Sequence, residues 1–175
     1  MSNSLYADSV PVMSLFLGNL KTILQKAQQH AAERKIDESV MLGLRLFPDM
    51  FALLRQVQTA CDNAKGTAAR LAGVEIPKHA DTETTFEELY ARIDKTLAFI
   101  NGIDPKAFEG RDNAEIVLAF GTTFRREFTA AQYLRTWALP NFYFHATTAY
   151  NILRHRGVEV GKRDFLGVMP GFPKA

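Results

Sequence analysis

The sequence predicts an all-α protein, a four-helix bundle in which a small β-hairpin is inserted before the last long helix. Apolar residues recur at three- and four-residue spacing over four long stretches, which is the period of an amphipathic helix. Capping boxes and terminal glycines mark the ends of several of these stretches. Two short extended runs flank Gly121, a pattern typical of a hairpin. We expect one domain over residues 1–175.

The first long helix is predicted over residues 5–33. Pro11 must lie near its first turn or bend it, and Ser9 is a suitable N-cap residue at that point. A short separate helix that begins at Ser4 is the alternative.

A short helix and the second long helix follow. Asp37 is the expected N-cap of a helix that continues through Leu46. Pro48 is predicted to open the second long helix, 48–72, because proline is favoured at the first helical position. Gly73 is expected to end that helix.

The third long helix is predicted over residues 85–101. Thr85 and Glu88 have the spacing of a capping box, and Gly102 follows the last periodic residue. Asp104-Pro105 then predicts a single helical turn.

The last long helix follows the hairpin. Thr129 and Gln132 form a second capping box, and the helix is expected to continue to Arg156 and to end at Gly157. The stretch after Gly157 is rich in glycine and proline and is expected to pack as an irregular tail.

Composition excludes some functions. The 21 basic and 19 acidic residues balance to a net charge of +2, and the aromatic residues follow helical core spacing, so no nucleic-acid partner is expected. No apolar run is long enough to span a membrane, and the first residues do not resemble a signal peptide. A cytoplasmic protein is therefore expected, and its single cysteine, Cys61, is interpreted as a packing residue rather than a nucleophile.

The last helix carries the pattern that bears most directly on function. Trp137, Asn141, His145 and Thr148 fall on one side of a helical wheel, and Asn141 and His145 lie one turn apart. Pro140 should bend the helix beside them, because it leaves one carbonyl without its helical donor. Polar residues that face inward at a bend are a common arrangement in bundle sites.

Three roles for His145 stay open on spacing alone. It could be a core histidine with a hydrogen-bond partner, a metal ligand, or an acid–base group. The other histidines are less well placed, since His30 is expected to be solvated, His79 lies in a loop, and His155 lies in a basic terminal turn.

Polar residues of the second predicted helix also have ordinary explanations. Asp49 would lie in its first turn, where an acid favours the positive end of the helix dipole, although it could also serve as a ligand. Asp62 and Lys65 are three residues apart and are expected to form a surface pair, with a reach toward the bent helix as the alternative.

Three segments resemble a bacterial family of unknown function that is grouped with the DinB-like (YfiT-like) metalloenzymes. They read PDMFALLRQVQTACDNAKGTAARLAG, DTETTFEELYARIDKTLAFI and ALPNFYFHATTAYNILRHRGVEVGKRDFLG, and the resemblance covers roughly residues 3–167. It implies a four-helix bundle, often dimeric, with three histidines from the second and fourth helices around zinc or nickel. Members with known activities include thiol-dependent transferases and isomerases.

The resemblance places its histidines on positions that are only partly histidine here. Counted back from Gly157, the second histidine of the last helix matches His145, while the first falls on Asn141 and the one on the second helix falls near Asp49. Amide and carboxylate oxygens suit harder ions such as magnesium or manganese. Either the ion has changed or the site is a pocket without metal.

We therefore expect a homodimer with a small-molecule pocket centred on His145, in which one divalent ion on His145, Asn141 and Asp49 is an option. The alternative is a non-catalytic binding or interaction module in which His145 is structural. The pocket residues expected are Asp49, Gln56, Trp137, Asn141, His145 and Thr148.

Overall fold

A computed structural model describes residues 5–120 and 123–167, and it shows the helical bundle and hairpin that the sequence predicts. A 3₁₀ turn and two strands separate the fourth helix from the last long helical segment. The elements are α1 (Val10–Arg34), α2 (Glu38–Leu42), α3 (Leu53–Ala72), α4 (Phe86–Asn101), a 3₁₀ turn (Pro105–Phe108), β1 (Glu115–Phe120), β2 (Phe124–Thr129), α5 (Ala130–Tyr133), α6 (Leu139–His155) and α7 (Lys162–Leu166).

Helix α3 is the centre of the bundle, since it packs against both α4 and α6 while α1 closes the other side. The core is built from apolar side chains on the facing sides of these helices, among them Leu17, Leu24, Ile93 and Phe142, all without solvent exposure. Burying each such side chain contributes roughly 1.5–3 kcal/mol, so the apolar stripes determine this packing.

Helix α1 begins later than predicted. Pro11 lies in its first turn, as expected, and Ser9 stands at the N-cap position. The Ser9 hydroxyl nevertheless donates to the Leu5 carbonyl instead of capping the helix, because residues 5–9 form turns that bring that carbonyl within reach.

The predicted start of the second long helix at Pro48 is wrong. Helix α3 begins at Leu53, whose N–H donates to the Leu44 carbonyl at 2.8 Å and so closes a loop. Inside that loop the Met50 N–H donates to the Phe47 carbonyl at 3.0 Å. Proline suits a turn as well as a first helical turn, and here the turn is formed. The preceding short helix ends at Leu42 rather than Leu46, although Asp37 caps it as predicted.

The third long helix agrees closely with its signals. The Thr85 hydroxyl accepts the Glu88 N–H and the Glu88 carboxylate accepts the Thr85 N–H, so the capping box is confirmed. Gly102 ends the helix, and the turn predicted at Asp104-Pro105 is present.

The hairpin and the capping box of Thr129 and Gln132 are also confirmed. Strands β1 and β2 pair antiparallel from Glu115 opposite Thr129 to Phe120 opposite Phe124. Gly121, the predicted turn residue, lies outside the described residues. Every helix in the described ranges is too short or too polar to cross a bilayer.

The last long helix continues from Ala130 to His155 but contains one wide turn. Residues Leu134–Ala138 are π-helical, directly before Pro140. The tail beyond Gly157 is not wholly irregular, since α7 forms within it and Phe165 packs on Phe16 and Tyr150.

Candidate functional site

His145 on α6 faces Gln56 on α3. The ring Nδ1 lies 2.7 Å from Gln56 Oε1, and the Gln56 side chain is buried, whereas the imidazole is half-buried. The sequence prediction that these two pocket residues belong together is consistent with this contact. The bond joins the first turns of α3 to the middle of α6.

The Gln56 amide determines which nitrogen of His145 carries the proton. Gln56 Nε2 donates to the Phe51 carbonyl at 3.2 Å, and a carbonyl can only accept. Gln56 Oε1 therefore points at the imidazole, so Nδ1 must be the N–H donor. The lone pair of the neutral ring is then on Nε2, which makes no hydrogen bond to another described residue.

Electrostatics keep the imidazole neutral. Burial lowers the pKa of His145 below its ordinary value, and the positive charge of Arg55 lowers it further. A neutral ring with one nitrogen held and the other free is the form that can accept a proton or bind a ligand.

Two exposed aromatic rings stand beside the imidazole. Phe51 stacks on His145 with centroids 6.3 Å apart and planes 19° apart, and Phe144 meets it edge-on at 5.2 Å. Phe51 is 48% exposed and Phe144 is 57% exposed. The Arg55 guanidinium lies 5.8 Å from the Phe51 ring and adds positive charge at the rim.

Asn141 and Thr148 bond back to the helix that carries them, whereas Trp137, in the wide turn before α6, contacts the hairpin. Asn141 Nδ2 donates to the Trp137 carbonyl at 2.7 Å, next to the wide turn that precedes Pro140. The Thr148 hydroxyl donates to the Phe144 carbonyl at 2.6 Å. The Trp137 ring contacts Phe128, with centroids 6.2 Å apart.

Asp49 does not stand on α3, contrary to the predicted helix. It is exposed in the loop before that helix, and no hydrogen bond or ion pair links it to another described residue. The structure therefore gives it neither the dipole role nor an observed contact with His145.

A larger polar cluster lies between α3, α4 and the loop 76–85, and sequence reasoning missed it. The side chain of Arg92 on α4 is buried, with Nη1 3.0 Å from Glu83 Oε1 and Nη2 2.9 Å from Asp81 Oδ1 and 3.0 Å from Asp62 Oδ1. Burial opposes the charge, but the carboxylates raise the pKa of Arg92, so the guanidinium stays charged. Its position in the inward stripe of α4, three residues after Leu89, is the signal that could have revealed it.

Asp62 and Lys65 do pair, at 2.8 Å, but not on the surface as expected. Lys65 is buried, and the same Asp62 oxygen also accepts the Arg92 contact. The pair thus belongs to the Arg92 cluster instead of reaching toward α6.

The structure also gives the burial and the partners of the remaining histidines and of the cysteine. His30 was expected to be solvated but is buried, with Nδ1 3.3 Å from Arg34 Nη1, whereas His155 is exposed. Cys61 is buried, and burial raises the pKa of its thiol to about 12, which fits the predicted packing role.

Comparison with known proteins gives the family. The chain matches the domain of unknown function DUF1993 over residues 5–166. The chain belongs to the DUF1993 family. A crystal structure of a DinB family member protein from Shewanella denitrificans is 44% identical to this DUF1993 protein, with a TM-score of 0.88 over 97% of this chain and 96% of that one. Curated proteins give no match.

The residues of this DUF1993 protein fit a zinc or nickel ion poorly. Sites for such ions need three or four nitrogen, sulfur or carboxylate donor atoms that converge on one point. His145 bonds the Gln56 amide, Asn141 lies one turn before it on α6, and both amide nitrogens already donate to backbone carbonyls. Within the described ranges, no group of three histidine, cysteine or acidic side chains could hold a metal ion.

Proposed function

We propose that this DUF1993 protein binds a small organic molecule at His145, with ring Nε2 as the hydrogen-bond acceptor or general base. The hydrogen bond between His145 Nδ1 and Gln56 Oε1 carries the proposal, because it leaves the Nε2 lone pair for the ligand.

The neighbouring side chains define the ligand. Phe51 and Phe144 offer exposed ring faces beside the imidazole, which favour a planar apolar group. The Arg55 guanidinium at the rim is ion-paired with Asp81, so it favours an electron-rich ring and does not call for an acidic ligand. The best match is an aromatic or conjugated molecule that carries an O–H, N–H or S–H group for Nε2.

The site works without a metal ion in this proposal. A single imidazole beside two amides supports weak ligation at best, and Asp49 lies in the loop outside α3. The divalent ion on His145, Asn141 and Asp49 thus stays a prediction for metal analysis to test. We expect clearly less than one zinc or nickel per chain after purification without chelator, and stoichiometric metal that is lost in His145→Ala would overturn this part.

Titration with p-cresol tests the binding proposal, since this molecule has one aromatic ring and one phenolic O–H. We expect saturable shifts of the His145 ring resonances in carbon–proton NMR spectra, and loss of binding in His145→Ala. The matched control is His155→Ala, because His155 is an exposed histidine at the end of the same helix. Binding of p-cresol that His145→Ala leaves unchanged would refute the proposal.

A non-catalytic interaction module is the second candidate, and the exposed aromatic side chains favour it. Phe47, Phe51 and Phe144 are 64%, 48% and 57% exposed, which is unusual for large apolar residues on a monomer surface. A homodimer in the cytoplasm is the corresponding proposal. Phe144→Asp should then give a monomer in analytical ultracentrifugation, and an unchanged mass would speak against this surface as the interface.

Ligand binding, and not stability alone, separates the two candidates. His145→Leu leaves the Gln56 carbonyl unpaired under either candidate and should lower the free energy of unfolding by about 1–3 kcal/mol. If His145 also serves a ligand, the variant should lose p-cresol binding as well, whereas a purely structural His145 predicts that even the wild type binds no p-cresol.

A further inference from the structure

A groove on α3 has no lining residue in common with the His145 site. It is a groove of about 620 Å³ between α3 and the loop 76–80. Lys65, Gly66 and Arg70 form the α3 wall, and Pro77 to Ala80 form the loop wall. Its volume is sufficient for a small organic molecule.

The charges that line the groove are predominantly positive. Lys65, Arg70 and Lys78 stand against one carboxylate, that of Asp62. A single Asp62 oxygen already serves Lys65 at 2.8 Å and Arg92 at 3.0 Å, so it leaves no charge to neutralise the other cations. Neither Arg70 nor Lys78 forms an ion pair with a described residue.

A glycine in the middle of α3 positions the Arg70 guanidinium over the helix. A Cβ atom at Gly66 would lie 2.5 Å from Arg70 Nη1, so an alanine there would displace the end of the arginine side chain from this place. Glycine inside a helix costs about 1 kcal/mol relative to alanine, so this placement opposes local stability. The guanidinium is further held by the Tyr133 hydroxyl, 3.5 Å from Nη1.

His79 connects the groove with a smaller neighbour. Its Nδ1 is buried and has no hydrogen-bond partner in the described part of the chain. It also lines a cavity of about 300 Å³ in which Arg92 and Lys95 are matched by Glu83 and Glu88. Of these two neighbouring cavities, the larger groove is the one with unbalanced positive charge.

We propose that the groove between α3 and the loop 76–80 binds a small oxyanion attached to an apolar group, such as a phosphate monoester or a carboxylate. Arg70 presents a planar fork that suits two oxygen atoms, and Lys78 supplies a second charge. Ile76 and Pro77 offer apolar surface to the remainder of the ligand. The site is separate from His145, so the inference does not depend on the function proposed there.

Binding of the anion should also change the protonation of His79. Burial lowers the pKa of His79 first, and nearby cations lower it further. An anion that neutralises those cations should therefore raise the pKa of His79. The charged groups that line the two cavities shared by the ring are Asp62, Lys65 and Arg70 from α3, Glu88, Arg92 and Lys95 from α4, and Lys78 and Glu83 from its own loop.

Calorimetric titration with phenyl phosphate, at an ionic strength matched with sodium chloride, tests the proposal. We expect saturable binding to the wild-type chain that Arg70→Gln and Lys78→Gln each weaken by about fivefold, as for a partly exposed charge-assisted hydrogen bond. The control is Lys162→Gln, since Lys162 lies on α7 and lines neither cavity. His145→Ala should bind phenyl phosphate like the wild type.

Further arms distinguish the ligand classes and guard against misfolding. Gly66→Ala keeps every charge but displaces the Arg70 guanidinium, so it should weaken binding, and by less than Arg70→Gln does. Benzoate and inorganic phosphate separate the roles of the phosphate and the apolar group, and tighter binding of phenyl phosphate than of inorganic phosphate is expected.

Absence of saturable phenyl phosphate binding to the wild type, or equal weakening by Lys162→Gln, would overturn the proposal. NMR titration of His79 should show a higher pKa with phenyl phosphate present, and an unchanged or lower pKa would contradict the proposed site.

Discussion

Replacing the buried Arg92 should destabilise the bundle more than any other single substitution we consider. Its guanidinium contacts three carboxylates, and the contact with Glu83 is the best shielded, because that side chain is only 12% exposed. The hydrogen-bonded charge pair with Glu83 is worth roughly 1.5–3 kcal/mol. The pairs with Asp62 and Asp81, which are 36% and 39% exposed, add about 0.5 kcal/mol each after solvent screening.

Loss of the buried arginine stem contributes separately. Truncation to alanine removes about 1 kcal/mol of apolar burial, so Arg92→Ala should cost about 3–5 kcal/mol in total. Arg92→Met keeps most of the stem and should cost about 1 kcal/mol less. For a chain of this length, each kcal/mol lowers the melting temperature by roughly 2–4 °C.

Chemical denaturation of the two variants across pH measures this effect. Burial alone would raise the pKa values of Asp81 and Glu83. Hydrogen bonds and charge from Arg55 and Arg92 nevertheless lower the pKa of Asp81 below 3.8. Hydrogen bonds from Arg92 and Gln58 likewise lower the pKa of Glu83 below 4.5. Groups with lowered folded-state pKa values stabilise the fold above their ordinary values and lose that contribution as the pH falls through the lowered values. The difference between wild type and Arg92→Met should therefore be largest near pH 7 and shrink below pH 4.5. Equal stability of Arg92→Met and wild type at pH 7 would refute the reasoning.

Three further predictions concern single contacts. Thr85→Ala removes the hydroxyl that accepts the Glu88 N–H and should cost about 1 kcal/mol by thermal denaturation, whereas an unchanged melting temperature would remove the capping box as a source of stability. Cys61 should not react with Ellman's reagent at pH 8 until the chain is unfolded, because the thiol is buried and its pKa is raised to about 12, so rapid reaction of the folded protein would contradict its packing role. Asn141→Ala leaves the Trp137 carbonyl without the amide donor and should cost about 1 kcal/mol in urea, and a gain in stability would show that the amide is not needed at the wide turn.

Local signals in the sequence predicted the fold well. The capping box at Thr85 and the apolar period of α4 depend on residues within one or two helical turns, so a single sequence is enough to predict them. Pro48 was misread because proline fits a turn and a helix start equally well, and the choice depends on the Leu53 N–H reaching Leu44. The sequence predicts a bend at Pro140. It does not predict the π-helical turn over Leu134–Ala138, because that turn depends on packing against other elements.

The candidate site was predictable only in part for the same reason. His145 stood out through its place in an apolar stripe, and Gln56 was named as a pocket residue, but their hydrogen bond joins positions 89 residues apart. The contacts of Arg92 with Asp62 and Asp81 likewise cross between elements. Spacing rules cannot identify such partners, because they describe one helix at a time.

The protonation of His145 is the most direct test of the proposed site. Nitrogen–proton correlation spectra of the imidazole at pH 7 distinguish its two neutral forms and the charged form. We predict a neutral ring with the proton on Nδ1 and a pKa below the ordinary value of 6.5. A proton on Nε2, or a charged ring at pH 7, would mean that Gln56 does not hold the imidazole as described and that Nε2 is not available to a ligand.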